Sequence, residues 1–136
     1  MSNDEKVIRT DRQRAASAQI DAAIWHFRNN QYECAITLAA AAENLLPETG
    51  NPHLFKILKN APTAKGLDLN QFINWLKHPK EPESISIPEF EVAITLVRAI
   101  SKFRAVYNTG SPAMKSLVKW TFEKGELPEP KLDDWE

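Results

Sequence analysis

The stretch that decides the fold is Cys34–Leu46, CAITLAAAAENLL, in which four consecutive alanines precede a single glutamate. An α-helix turns 100° per residue, so Glu43 falls about 20° from Ile36, in the middle of an apolar arc. The polar residues of this helix cluster on a different arc: Glu33, Thr37 and Asn44. Because a buried carboxylate without a partner costs several kcal/mol or keeps its proton, Glu43 predicts a cationic partner inside the fold.

The longest predicted helix, from Pro88 to Tyr107, carries a matching cation. It begins at a sequence with the form of a capping box, Ser86–Glu89. Arg104 falls on its apolar arc, whereas Arg98 shares with Glu91 and Lys102 a polar stripe that we expect to face solvent. We therefore predict a buried ion pair between Glu43 and Arg104. In the alternative, Glu43 lies at a helix end and Arg104 reaches water.

The same periodicity predicts helices along most of the chain. A first helix begins as early as Asp4 and ends near Asn29, and a second covers about residues 31–46. Two short helices follow, then a proline-broken loop at 79–88, the long helix, and a last helix from Ser111 to Gly125. The prediction is an all-α, antiparallel four- to five-helix bundle with short inserted helices. It forms one domain, residues 1–125, followed by an acidic, proline-containing tail, 126–136, that is either strapped to the domain or disordered.

Composition narrows the class of protein. The 136 residues are 43% hydrophobic and 26% charged, with a net charge of −1, which argues against a general attraction to nucleic acid or to an anionic membrane. A single cysteine cannot form an internal disulfide, which favours a reducing compartment. The charged N-terminus does not have the form of a secretory signal, and no apolar run is long enough to span a bilayer. We expect a cytoplasmic protein without a membrane partner.

Motifs for catalysis or metal binding are not apparent. The three histidines are scattered and lack ligands at helical spacing, so neither a metal nor a cofactor is predicted. Cys34 lies on a nearly all-apolar helix, so we interpret it as an inert packing thiol. The four glycines occur singly, which excludes a glycine-rich phosphate loop.

Two further patterns concern partners. Basic residues are candidate phosphate contacts if they converge in the fold, although acidic neighbours favour ordinary solvated faces. They are the N-terminal Arg9, Arg12 and Arg14, the lysines Lys115 and Lys119 on one face of the last helix, and Lys102. The second helix is apolar nearly all round, since Leu38, Ala42 and Leu45 lie opposite Ile36 and Ala40. A two-fold homodimer would cover this surplus surface.

Two segments carry a family resemblance. AIWHFRNNQYECAITLAAAAENLL (residues 23–46) and VRAISKFRAVYNTGSPAMKSLVKWTFE (residues 97–123) resemble small bacterial helical proteins of HEPN-like architecture, over roughly residues 19–122. The resemblance implies a helical bundle, a dimer and a place in stress or defence systems of the toxin–antitoxin type.

Many members of the wider superfamily are metal-independent ribonucleases whose hallmark is an arginine followed, after four to six residues, by a histidine. After Arg104 those positions hold Thr109, Gly110 and Ser111. The imidazole that would serve as general acid and base is missing, so the ribonuclease activity is not carried over.

We therefore expect a non-catalytic binding or accessory module, homodimeric, with a protein or nucleotide partner. One alternative is an RNase-like or nucleotide-handling enzyme with a degenerate site, using Arg104 together with Tyr107, Asn108, Thr109 or Glu43. Another is an RNA-binding protein without catalysis. An enzyme requires Arg104 in an open cleft, whereas a scaffold would seal it beneath apolar side chains.

Overall fold

The computed structural model describes residues 4–50, 52–66, 68, 70–132 and 135, and that part of the chain is helical and contains no strand. Its elements are α1 (Arg12–Arg28), α2 (Tyr32–Leu45), α3 (His53–Lys59), a 3₁₀ turn (Pro62–Ala64), α4 (Gln71–Lys77), α5 (Glu89–Tyr107) and α6 (Pro112–Lys124). The predicted all-α bundle with short inserted helices is confirmed. Within the described ranges, no helix has the length and apolar character needed to cross a membrane.

Helices α1 and α2 form an antiparallel hairpin. The Asp11 carboxylate accepts a hydrogen bond from the Arg14 backbone N–H at 2.8 Å, so α1 begins at Arg12 and not as early as Asp4. Residues 4–10 are exposed and not helical. At the other end Asn30 adopts a φ of 62°, a left-handed conformation that asparagine tolerates and that reverses the chain into α2.

Helix α5 is the centre of the bundle and packs against α1, α2, α3 and α6. Apolar side chains fill most of its surface and are almost fully buried: Val92, Ala93, Ile94, Leu96, Val97, Ala99, Ile100 and Phe103. Its start is not closed by the predicted capping box, because Pro88 is the N-cap residue and no side chain caps the helix. Glu89 instead accepts a 2.7 Å hydrogen bond from the Tyr32 hydroxyl, which raises the pKa of Tyr32 and ties the start of α5 to α2.

The polar stripe of α5 does not face solvent, contrary to expectation. Glu91, Thr95 and Lys102 are only 5%, 3% and 8% exposed. The inserted helix α3 packs on α5, and the end of α2 lies beside Lys102. The inserted segment has its own apolar residues, Phe55 and Leu58, which are buried against the bundle. Because this segment packs on α5, it also covers the polar stripe of that helix.

The C-terminal tail folds back onto the bundle. Leu132 is 5% exposed and belongs to the hydrophobic core. The Trp135 ring lies against Gly110, where a Cβ would come within 2.7 Å of the indole Cε3 atom. Glycine is therefore required at position 110 for this close approach.

The packing of the tail leads to a stability prediction. Leu132→Ala should lower the free energy of unfolding by about 2 kcal/mol or more, because it removes a buried side chain and leaves a cavity. Its exposed neighbour supplies the control, since Lys131→Ala should change stability by less than about 0.5 kcal/mol. Urea denaturation followed by circular dichroism measures both, and equal effects would show that the tail does not contribute to the core.

Candidate functional site

An open cleft of about 330 Å³ lies at the C-terminal end of α2, where it meets α3 and α5. We call it the Glu43 cleft. Its lining includes two carboxylates, two cations, an amide and an aromatic ring: Glu43, Glu48, Asn70, Arg98, Lys102 and Phe55. Charged groups of both signs thus meet at one place between the helices.

A single guanidinium connects the walls of this cleft. The Nε atom of Arg98, on α5, donates a hydrogen bond to the Glu43 carboxylate on α2. Its Nη1 atom donates to the Asn70 side-chain oxygen at 3.3 Å, and its Cζ atom lies 5.8 Å from the centre of the Phe55 ring on α3. The side chains of Arg98 and Glu43 are 16% and 19% exposed, so the pair is largely shielded from water.

Lys102 occupies the next turn of α5. Its ammonium donates a 2.9 Å hydrogen bond to the backbone carbonyl of Glu43, in the last turn of α2. A cation at this position satisfies a terminal carbonyl and opposes the negative end of the helix dipole. Its second contact is weaker, because the Glu48 carboxylate lies 3.5 Å away on a side chain that is 93% exposed.

The cation paired with Glu43 is therefore Arg98, and the predicted partner Arg104 lies elsewhere. The two arginines are about 120° apart around α5, so they cannot both face α2. Arg104 donates a 3.0 Å hydrogen bond to the Asn108 side chain, and its guanidinium lies 5.3 Å from the Trp135 ring. The helical arc alone did not reveal that α3 and α2 cover the polar stripe and that the tail covers Arg104.

The proposed neighbours of a degenerate catalytic site close the end of α5. Asn108 has a φ of 56°, and its backbone N–H donates to the Arg104 carbonyl at 2.8 Å. The Tyr107 ring packs against Phe103 at 4.9 Å, and both Tyr107 and Thr109 are half-buried. These residues do lie near Arg104, but the contacts described above are those of a helix terminus.

The three candidate phosphate-contacting lysines have separate environments. Lys102 lies in the Glu43 cleft, whereas Lys119 is about half exposed and lies 3.5 Å from Glu129 of the tail. Lys115 is half-buried on α6. The structure thus does not bring Lys102 to a common surface with the lysines of α6. Within the described ranges, no group of three histidine, cysteine, aspartate or glutamate side chains is placed to hold a metal ion.

Sequence reasoning identified Glu43 and missed Arg98, Asn70 and Phe55 as parts of the site. A usable signal was present, since Arg98 and Lys102 are two cations one turn apart on a single stripe. If the inserted helices pack on that stripe, the two cations need hydrogen-bond acceptors from another part of the chain. The position of Asn70, just before α4, has no comparable signal in the sequence.

Glu91 marks the far end of the same stripe. Its Oε1 atom is buried and has no hydrogen-bond partner among the described residues. Burial, with a smaller contribution from the negative charge of Asp68, raises the pKa of Glu91 above its usual value. The folded protein therefore holds this proton more tightly than the unfolded chain does, and stability falls as the pH rises through the folded-state pKa.

Replacement by a neutral amide tests this effect. Glu91→Gln should stabilise the protein at pH 7.5, because the glutamine has no charge to bury, and the difference should disappear near pH 4, close to the ordinary pKa of glutamate. Thermal unfolding between those two pH values measures it. The exposed Glu123→Gln on α6 is the control and should show no such pH-dependent difference. A Glu91→Gln melting temperature that tracks the parent at every pH would contradict the assignment.

Comparisons with models of protein families, with curated proteins and with solved structures found no match to this chain.

Proposed function

We propose that this chain is a non-catalytic, HEPN-like binding module that acts as a cytoplasmic homodimer and serves a stress or defence system of the toxin–antitoxin type. The observation that carries the proposal is a partly exposed apolar seam along α2. The architecture and biological setting rest on the sequence resemblance. The dimer and the absence of catalysis rest on the packing and charges of the described residues.

The pairing of charges in the Glu43 cleft supports a binding role over a catalytic one. Arg98 is held by Glu43, and Lys102 is held by a helix-terminal carbonyl. A general acid or base must be able to exchange a proton with a substrate, whereas a shielded ion pair serves mainly to fix the register between helices. The Trp135 ring over Arg104 likewise fits the expectation for a scaffold.

The seam consists of Cys34, Leu38, Ala41 and Leu45, which we call the α2 seam. Their spacing of four, three and four residues is that of the a and d positions of a coiled coil. Cys34 and Ala41 are exposed, while Leu38 and Leu45 are half-buried. Cys34, interpreted from the sequence as an inert packing thiol, is exposed on the outer arc of α2, so it does not pack in the core of the single chain.

A second copy of the same helix fits this seam. In an antiparallel pair related by a two-fold axis, Leu38 faces Ala41 of the other copy and Cys34 faces Leu45. Each contact then places a large side chain against a small one, which allows the two helices to interdigitate. Trp25, on the neighbouring helix α1, is a further exposed apolar side chain, at 58%. The seam itself contains no charged residue.

A charge placed in the seam tests the dimer. We expect the parent protein to sediment at the mass of two chains, and Leu38→Glu to sediment as a monomer with unchanged helical circular dichroism, because a carboxylate cannot be buried unpaired. Thr63→Glu, an exposed substitution in the 3₁₀ turn, adds the same charge and should leave the dimer intact. A parent protein that remains monomeric at high micromolar concentration would contradict this part of the proposal.

Incubation with total RNA tests the absence of catalysis. The purified protein should leave RNA intact, and Arg104→Ala should behave identically, because Arg104 is engaged with Asn108 and Trp135. Denaturing electrophoresis reads the result. RNA cleavage that disappears in Arg104→Ala would establish an enzyme with a degenerate site in place of the proposed module.

A further inference from the structure

Lys102 is a shielded cation with a poorly matched counter-ion. Its side chain is 10% exposed, while its carboxylate partner Glu48 is 93% exposed and lies at 3.5 Å. An ion pair to so exposed a carboxylate contributes at most about 1 kcal/mol. The ammonium has three N–H donors, and its one short hydrogen bond is to the Glu43 carbonyl. The ammonium therefore retains donor capacity toward the cleft.

The Arg98 guanidinium offers further hydrogen-bond donors to the Glu43 cleft. Its Nε and Nη1 atoms have protein acceptors, and its Nη2 atom makes no hydrogen bond to the described residues. Arg98 and Lys102 are four residues apart on α5, so their side chains emerge on the same face of the helix. Both line the Glu43 cleft.

We propose that the Glu43 cleft binds a small anionic ligand, whose phosphate or carboxylate group replaces the Glu48 carboxylate at Lys102 and also contacts Arg98. The proposal names a ligand class for the binding module proposed above and rests on that role. Once Glu48 has withdrawn, the cleft holds two cations and one carboxylate, a net charge of +1. The remaining carboxylate, Glu43, orients the guanidinium through Nε and leaves the Nη2 edge for the ligand.

Glu48 is suited to act as the displaceable group. It lies in the loop after α2 and two residues before Gly50, which has a φ of 78°. The side chain can therefore leave Lys102 without disturbing a helix. Phe55 and Asn70 line the rest of the cleft and offer an apolar ring and an amide to the body of the ligand. The volume of about 330 Å³ lies at the lower end of the range for small-molecule sites.

Titration of the full chain, followed by two-dimensional NMR of backbone amides, tests the proposal. The probes are inorganic phosphate, adenosine monophosphate, succinate and adenosine, the last of which has no anionic group. We expect saturable shifts around residues 43, 48, 98 and 102 with at least one of the three anions, and none with adenosine. Shifts with phosphate or adenosine monophosphate but not with succinate would identify a phosphate ligand. Shifts with succinate only would identify a carboxylate ligand.

Three variants separate this site from general anion binding. Glu48→Gln should bind the active anion roughly two- to fivefold more tightly, because an exposed competing ion pair is lost. Lys102→Met, which keeps the aliphatic stem, should weaken binding by about tenfold or more, the loss expected for a charge-assisted hydrogen bond. Lys119→Met on α6 should bind as the parent does.

Absence of saturable shifts with all three anions overturns the proposal. So does an unchanged affinity in Glu48→Gln, a variant on an exposed side chain that does not depend on the folding of Lys102→Met. The dimer and the RNA assay are read independently. If no anion binds but the protein is dimeric and leaves RNA intact, the ligand proposal is wrong and the proposed binding module stands. If the protein cleaves RNA and the cleavage depends on Arg104, the proposed non-catalytic module is wrong.

Discussion

The hydrogen-bonded ion pair between Arg98 and Glu43 is the interaction on which the arrangement of the helices depends. The guanidinium lies on the central helix α5 and reaches α2 through Glu43, α3 through the Phe55 ring and the start of α4 through Asn70. Four parts of the chain are thereby held around one charged group. Because both partners are largely shielded, removing either one would leave the other desolvated without compensation, which is far more costly than losing an exposed pair.

This arrangement determines which surfaces remain for function. The two cations of the Glu43 cleft both contact α2, Arg98 through the Glu43 carboxylate and Lys102 through the Glu43 carbonyl. The surface of the described residues includes the partly exposed α2 seam and the exposed Trp25 side chain. This arrangement supports the proposed binding role. The Glu43 cleft adds a place where a small anion could meet two cations whose positions the fold has already fixed.

Much of the fold follows from the sequence, because apolar periodicity, prolines and capping residues act locally. Asp11 and Ser111 both cap the helices that follow them, and Asn30 closes the first turn. The alanine-rich run also indicated that Glu43 is shielded. Its partner could not be assigned in the same way. A helical wheel separates Arg98 from Arg104 by about 120° but does not say which arc another segment covers. Which arc is covered depends on the long-range packing of α3, α4 and the tail. The short helices α3 and α4 have only weak hydrophobic periodicity.

A double-mutant cycle between Glu43→Gln and Arg98→Met tests the central claim most directly. Unfolding free energies of the parent, both single variants and the double variant give the coupling between the two side chains. We predict a coupling of about 1 to 3 kcal/mol, as found for residues that share one hydrogen-bonded ion pair. The same cycle with Arg104→Met in place of Arg98→Met should give less than about 0.5 kcal/mol. Negligible coupling to Arg98, or a strong coupling to Arg104, would contradict the account.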